Sequence, residues 1–471
     1  MAKHDRARRT YPDSVDRLSI LDDLFVVLER DNLPMHIGSL LIFDGPAPEY
    51  EDLLAHVSGR LDRLPRYRQV IREVPFNLGI PTWQDDVHFN LEYHVRHTAL
   101  PHPGDREQLR ALAGRQLSHR LDMRRPLWEM WLIEGLADGE FAILNKVHHA
   151  MVDGLSGSDI METLLDPSPD VAAPSPSQWE PTPPSSTVRV LSDAVVDTTR
   201  ISLGRLGHLA ADLASPREAA NRVAAAVVGT LRIGETLAHT EDHLLGQPGP
   251  HRRWAWADGD LAAVKRIKSR LGGTVNDVIL AAITNGYREF LLGREPELPE
   301  DAFVRTMVPV STRPSGAAKG GNEVAVMFAD MPVGVADPIE RFGIIHEQMQ
   351  QAKHSGTVEG LDSLLENAVF LPPVLYAAGA KLAARTPQPA VSTITTNVPG
   401  PQHQLYMLGR PMRRMLGYVP LGMNQLVTVA IVSYNGQICC GITADYDRVP
   451  DVELLAAGIE SGLAELADLA G

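Results

Sequence analysis

Cysteine is nearly absent from the 471 residues: there are two, Cys439 and Cys440, and they are adjacent. Neighbours on a strand point to opposite faces, which excludes a framework disulfide between them and leads to the expectation of a reducing, cytosolic compartment. Excess positive charge is also missing. The formal net charge is −15, which argues against a broad nucleic-acid-binding surface. The first nine residues are basic and polar with no apolar run behind them, so no signal peptide is expected. Charge is missing altogether from residues 415–444, yet Gly417, Pro420, Asn424, Gln425, Asn435, Gly436 and Gln437 interrupt that run. Its β-branched content predicts buried strands rather than a spanning helix, and any membrane contact is then peripheral.

What is present is enough for a proper core: 44% of residues are apolar. The length suits two domains or three. A seam of seven prolines lies in residues 167–184, and residues 188–245 turn Ala/Leu-rich and helical in pattern. The expected division is an N-terminal domain over 1–166, a Pro-rich linker with connecting helices over 167–250, and a C-terminal domain over 251–471.

Mixed α and β elements are expected on both sides of the seam. Leu109, Leu112, Ala113 and Leu117 share one helical face. Residues 128–135 and 140–147 read as strands joined at Asp138-Gly139. Leu261, Val264, Ile267 and Leu271 mark a helix that stops at Gly272, and Thr274 with Asp277 predicts a capping box for the next. Strands are expected at 304–310, 324–331 and 391–396, a hairpin about Asn435-Gly436, and a terminal helix over 451–469.

The segment richest in chemistry is residues 148–154, His-His-Ala-Met-Val-Asp-Gly, at the end of a predicted strand. A histidine there can take a proton from an alcohol near neutral pH. Consecutive strand residues face opposite ways, so His148 and His149 do not share one job. Asp153 can cap the following helix and fix the loop, and Gly154 permits a tight turn or a close substrate approach. The residues alone also fit a buried histidine pair held by backbone groups. A metal site fits less well, because no Cys or further Glu completes the set nearby. Asn276, in the first turn of a helix, can donate to a developing oxyanion or simply face solvent. No Gly-x-Ser-x-Gly elbow, P-loop or Rossmann fingerprint is found; Gly154-Leu-Ser156-Gly-Ser158 comes near the first and lacks the final glycine. A histidine without an enzyme nucleophile suits direct attack by an alcohol on an activated acyl group such as a thioester.

With these residues in view, the sequence resembles the bacterial wax ester synthase/acyl-CoA:diacylglycerol acyltransferases. Residues 148–154 match that family's HHxxxDG signature. Residues 18–22 and 34–38, the Pro126-Leu127-Trp128 block, Asn276-Asp277, residues 397–401 and the pairs Ser433-Tyr434 and Ala444-Asp445 are similar to further blocks, in the family's order. The resemblance implies the fold of the CoA-dependent acyltransferase superfamily: mixed α/β, two chloramphenicol-acetyltransferase-like domains around a central channel. It implies His149 as general base beside His148, Asp153 as structural support and Asn276 at the reacting centre. Substrate contacts are expected at Gly154, Pro126, Leu127, Trp128 and Asn397. The implied activity is transfer of a long-chain acyl group from acyl-CoA to diacylglycerol or a fatty alcohol, in triacylglycerol or wax ester synthesis. Another lipid hydroxyl as acceptor, or a non-catalytic lipid-binding protein of this fold, is the alternative. No cofactor or metal is expected, acyl-CoA being a substrate. No nucleic-acid partner is expected either, and the implied location is cytoplasmic, peripheral to the inner membrane or to lipid droplets.

Overall fold

The computed structural model describes residues 16–75, 79–152, 163–171, 179–184, 186, 192, 243–311, 324–354 and 391–470. The linker helices expected over 188–245 lie almost wholly outside the described residues, as do Asp153, Gly154, Ser156 and Ser158. Along the chain run α1 (Ile20–Leu28), β1 (His36–Phe43), α2 (Tyr50–Ser58), β2 (Gln69–Arg72), β3 (Thr82–Asp85), α3 (Leu91–His94), β4 (Val95–Ala99), α4 (Arg106–Ser118), β5 (Trp128–Glu134) and β6 (Phe141–His148). Then follow β7 (Arg252–Asp260), α5 (Leu261–Leu271), α6 (Val275–Leu292), β8 (Val304–Ser311), β9 (Val324–Met331) and α7 (Pro338–His354). The last elements are β10 (Thr393–Pro399), β11 (Tyr406–Met407), β12 (Arg410–Tyr418), β13 (Val427–Tyr434), β14 (Gln437–Asp445) and α8 (Val452–Ala470).

Local chemistry accounts for most of the boundaries. Asp105 and Gln108 close a capping box on α4, and Thr274 and Asp277 close the expected one on α6. Gly272, at φ 82°, ends α5 in a conformation that favours glycine. Asn435 and Gly436 both have positive φ and turn β13 into β14, so the charge-free run is strands, as expected. Among the described residues no helix is long and apolar enough to cross a membrane.

Two six-stranded sheets form the frame, in the orders β11-β12-β1-β6-β5-β4 and β7-β14-β13-β10-β8-β9. The halves are interlocked. β12 comes from the C-terminal half but pairs antiparallel with β1, Leu40 opposite Leu416. To get there it passes over β14, where a Cβ on Gly441 would sit 1.9 Å from the Gly417 carbonyl oxygen. Only glycine allows that approach. From the other side, α4 packs on β7, and Ser118 Oγ accepts the Arg252 N–H at 2.8 Å.

Three apolar cores result among the described residues. One fills the C-terminal sheet with α5, α6, α7 and α8, and a second lies beneath the N-terminal sheet around Trp128, Phe43 and Phe141. The third joins the halves, with Trp254, Trp256 and Cys439 against Leu109, Leu117, Leu144 and Leu416. A large apolar side chain buried there stabilises by about 1.5–3 kcal/mol, so the junction holds as a core does. Cys440 belongs to the first core and Cys439 to the third; both are free, and burial raises both thiols.

Candidate active site

The paired histidines stand at the open end of β6. That strand is buried along its length, flanked by β1 on one side and β5 on the other. It ends at His148, whose N–H is taken by the Leu127 carbonyl at 2.9 Å. His149 begins a 3₁₀ turn instead of continuing the strand, and its N–H goes to the Met35 carbonyl at 2.9 Å. The change of backbone sends the two rings to different surroundings.

His148 is fully buried. Its Nδ1 accepts the Ala150 N–H at 3.1 Å, so a neutral ring carries its proton on Nε2. That nitrogen faces Glu29 Oε2 at 3.5 Å. His149 instead lies under Phe25, with ring centroids 3.8 Å apart and planes 20° from parallel. Burial, aided by the neighbouring His148, pushes its pKa down to about 4, while a hydrogen bond to its own main-chain carbonyl opposes that fall. At neutral pH the ring is therefore an uncharged acceptor, and part of its surface stays open.

Phe25 and Glu29 are four residues apart, so one edge of α1 meets both histidines. Helix α1 is held by Ser19, whose hydroxyl accepts the Asp22 N–H at 3.1 Å. The loop from α1 to β1 is tied across to the other half: Arg252 donates to the Asn32 carbonyl at 2.7 Å, and Asn32 donates to the Pro248 carbonyl at 3.0 Å.

Trp128, the first residue of β5, and Leu127 just before it support this end of β6 from within the protein. Trp128 stacks on His94 with centroids 4.7 Å apart, and its indole N–H donates to the Tyr67 carbonyl at 2.8 Å. Trp128 is 2% exposed and Leu127 fully buried, with Pro126 buried beside them.

In the C-terminal half the structure pairs two residues that the sequence singled out separately. Asn397, on β10, donates its Nδ2 to Asn276 Oδ1 at 3.2 Å. With Oδ1 engaged as acceptor, the Asn276 amide group keeps its own N–H donors for another partner. Asp277 secures the turn: its Oδ2 accepts the Thr274 N–H at 2.9 Å and a His346 Nδ1 proton at 2.8 Å. Among the described residues no group of three His, Cys, Asp or Glu is placed to hold a metal ion.

The comparison with known proteins decides what this frame is. Residues 18–279 match the wax ester synthase/diacylglycerol acyltransferase catalytic domain, and residues 320–467 match the WS/DGAT C-terminal domain. The chain belongs to the wax ester synthase/diacylglycerol acyltransferase family. It is 36% identical over 461 residues, 96% of each chain, to the "probable diacyglycerol O-acyltransferase tgs1" of Mycobacterium tuberculosis. Its fold is similar to the wax ester synthase/diacylglycerol acyltransferase of Marinobacter aquaeolei: TM-score 0.68, 26% identity, covering 97% of this chain and 100% of that one. A trichothecene 15-O-acetyltransferase from Fusarium sporotrichioides, at TM-score 0.60, 12% identity and 95% coverage of both chains, shares the fold alone. The expected mixed α/β acyltransferase architecture is thus present, and this chain is an acyltransferase of that family.

Phe25, Glu29 and His346 were not among the residues singled out from the sequence. The first two lie between the family-like blocks 18–22 and 34–38, and their four-residue spacing on a helix was the available signal. His346 carries no local signal, because its partner Asp277 is 69 residues away.

Proposed function

We propose that this protein moves a long-chain acyl group from acyl-CoA to the hydroxyl of a diacylglycerol or a long-chain fatty alcohol. His149, through Nε2 or Nδ1, takes the alcohol proton as the oxygen attacks the thioester carbonyl. The Asn276 amide donates to the oxyanion that forms. When the C–S bond breaks, the imidazolium returns its proton to the CoA sulfur, so ester and free CoA leave together with no acyl-enzyme. A ring held neutral in the free protein is entirely in the base form, and negative charge developing on the two substrate oxygens favours the imidazolium during transfer. Asp153 organises the loop, and Asn397 orients Asn276. The transfer takes place at the cytoplasmic surface of a membrane or lipid droplet.

The observation that carries this reading is the His149 ring: stacked on Phe25 at the end of β6, held neutral by burial, and still partly open. A panel of acceptors with palmitoyl-CoA, read by product chromatography, tests it. Triacylglycerol or wax ester should form, and mixing stoichiometric protein with acyl-CoA alone should release no burst of CoA. An acyl adduct on the protein that alcohol discharges at the turnover rate would rule out direct transfer.

A further inference from the structure

We propose that Glu29 is a positioning residue of the transfer site, setting the orientation of His149 through the His148 ring and the Met35 peptide. The inference rests on His149 as the base.

Glu29 follows the last turn of α1, and its side chain is 2% exposed. A buried carboxylate is costly unless every oxygen is engaged, and the partners here are specific. Oε2 accepts the Met35 N–H at 2.5 Å and faces His148 Nε2 at 3.5 Å, while Oε1 accepts from Arg120 Nε at 3.0 Å. Burial alone raises the carboxyl pKa; His148, Met35 and Arg120 outweigh it and hold the group below its ordinary value, hence ionised.

Both routes from Glu29 end at His149. Along the main chain, the carboxylate holds the Met35 N–H and the Met35 carbonyl holds the His149 N–H. Through the side chain, it faces His148 Nε2, and the other nitrogen of that ring fixes the Ala150 N–H just beyond His149. The base is thus gripped at its own amide and at the amide that follows. Phe25, one turn earlier on the same helix, sets the ring plane. A displacement of the base by about 1 Å can cost on the order of a hundredfold in rate, so a carboxylate that fixes two amides around it bears on turnover and not only on folding.

The alternative is a tie that merely closes the α1–β1 loop. The two differ in steady-state kinetics. E29Q keeps an acceptor for Met35 but removes the charge facing His148; H148N keeps an acceptor for Ala150 but removes the nitrogen facing Glu29. Each should lower kcat by up to roughly a hundredfold, the scale of a misplaced catalytic group, with KM for palmitoyl-CoA and the melting temperature near wild type. E29Q/H148N should be no slower than the slower single variant, because the two act as one unit. Wild-type kcat in E29Q, losses that multiply in the double variant, or kcat, KM and melting temperature falling together would each overturn the proposal. If E29Q does not fold, R120Q takes its place: the site is partly exposed, and freeing Oε1 should cost kcat severalfold at constant KM, while wild-type kcat overturns the proposal. H149A is assayed in parallel. An active H149A overturns the base reading and this inference with it; an inactive H149A beside a wild-type E29Q overturns only the role of Glu29.

Discussion

The rings of Phe25 and His149 lie 3.8 Å apart and 20° from parallel. One face of the imidazole is thereby closed to water. Burial lowers the pKa of the ring to about 4, so at neutral pH it has one protonation state, the neutral one.

The pH dependence should follow from that contact. Burial holds the His149 pKa near 4, against 6.5 for an ordinary histidine, so the neutral form persists until pH falls through about 4. The acid limb of kcat/KM for acyl-CoA should lie there. Phe25→Ala admits water to the ring face, weakens desolvation and moves the limb upward toward 6.5. A limb that stays in place in Phe25→Ala removes the stack as the cause.

The Asn276–Asn397 bond yields a second expectation. Asn276→Asp replaces the free amide donor by an oxygen at nearly the same volume. It should lower kcat by roughly 10²–10³-fold, the usual worth of one oxyanion donor, with KM little changed. Asn397→Ala frees Asn276 Oδ1 without removing the donor and should cost less. Equal losses in the two variants, or none in Asn276→Asp, would show that Asn276 does not meet the oxyanion.

A third expectation concerns α5. Lys265, Arg266, Lys268 and Arg270 are all exposed, and among the described residues none pairs with a carboxylate. The opposite face, Leu261, Val264 and Ile267, is buried in the C-terminal core. On a chain of net charge −15, this is a local cationic surface suited to anionic headgroups. Lys268→Glu with Arg270→Glu should reduce co-sedimentation with anionic vesicles, and high salt should do the same to the wild type. A raised KM for acyl-CoA with vesicle binding intact would instead assign the face to the CoA phosphates.

Where local pattern decides structure, the sequence was readable. β5, β6, the capping box of α6, the Asn435-Gly436 turn and the terminal helix fall within a residue or two of expectation. These are set by period, caps and turn residues over a few positions. β12 is a different case. Its residues Arg410-Pro-Met-Arg-Arg alternate poorly, and its partner β1 lies some 375 residues upstream, so neither the strand nor its place in the other half's sheet is written locally. The histidine pair was recognisable and the divergence of its rings expected, but for another reason. They part because the strand ends between them, not because they alternate along it. What orients them, Phe25 and Glu29, is more than a hundred residues away and visible only after folding.

The most direct test of His149 as base is turnover of the single alanine variants with palmitoyl-CoA and the best acceptor, with folding checked by melting temperature. His149→Ala should stay folded and lose roughly 10²–10⁴-fold in kcat, the range for removal of a general base. His148→Ala should lose less, because its ring faces Glu29 and the Ala150 amide. A folded His149→Ala protein with near-wild-type kcat, or one in which only His148 is essential, would contradict the account.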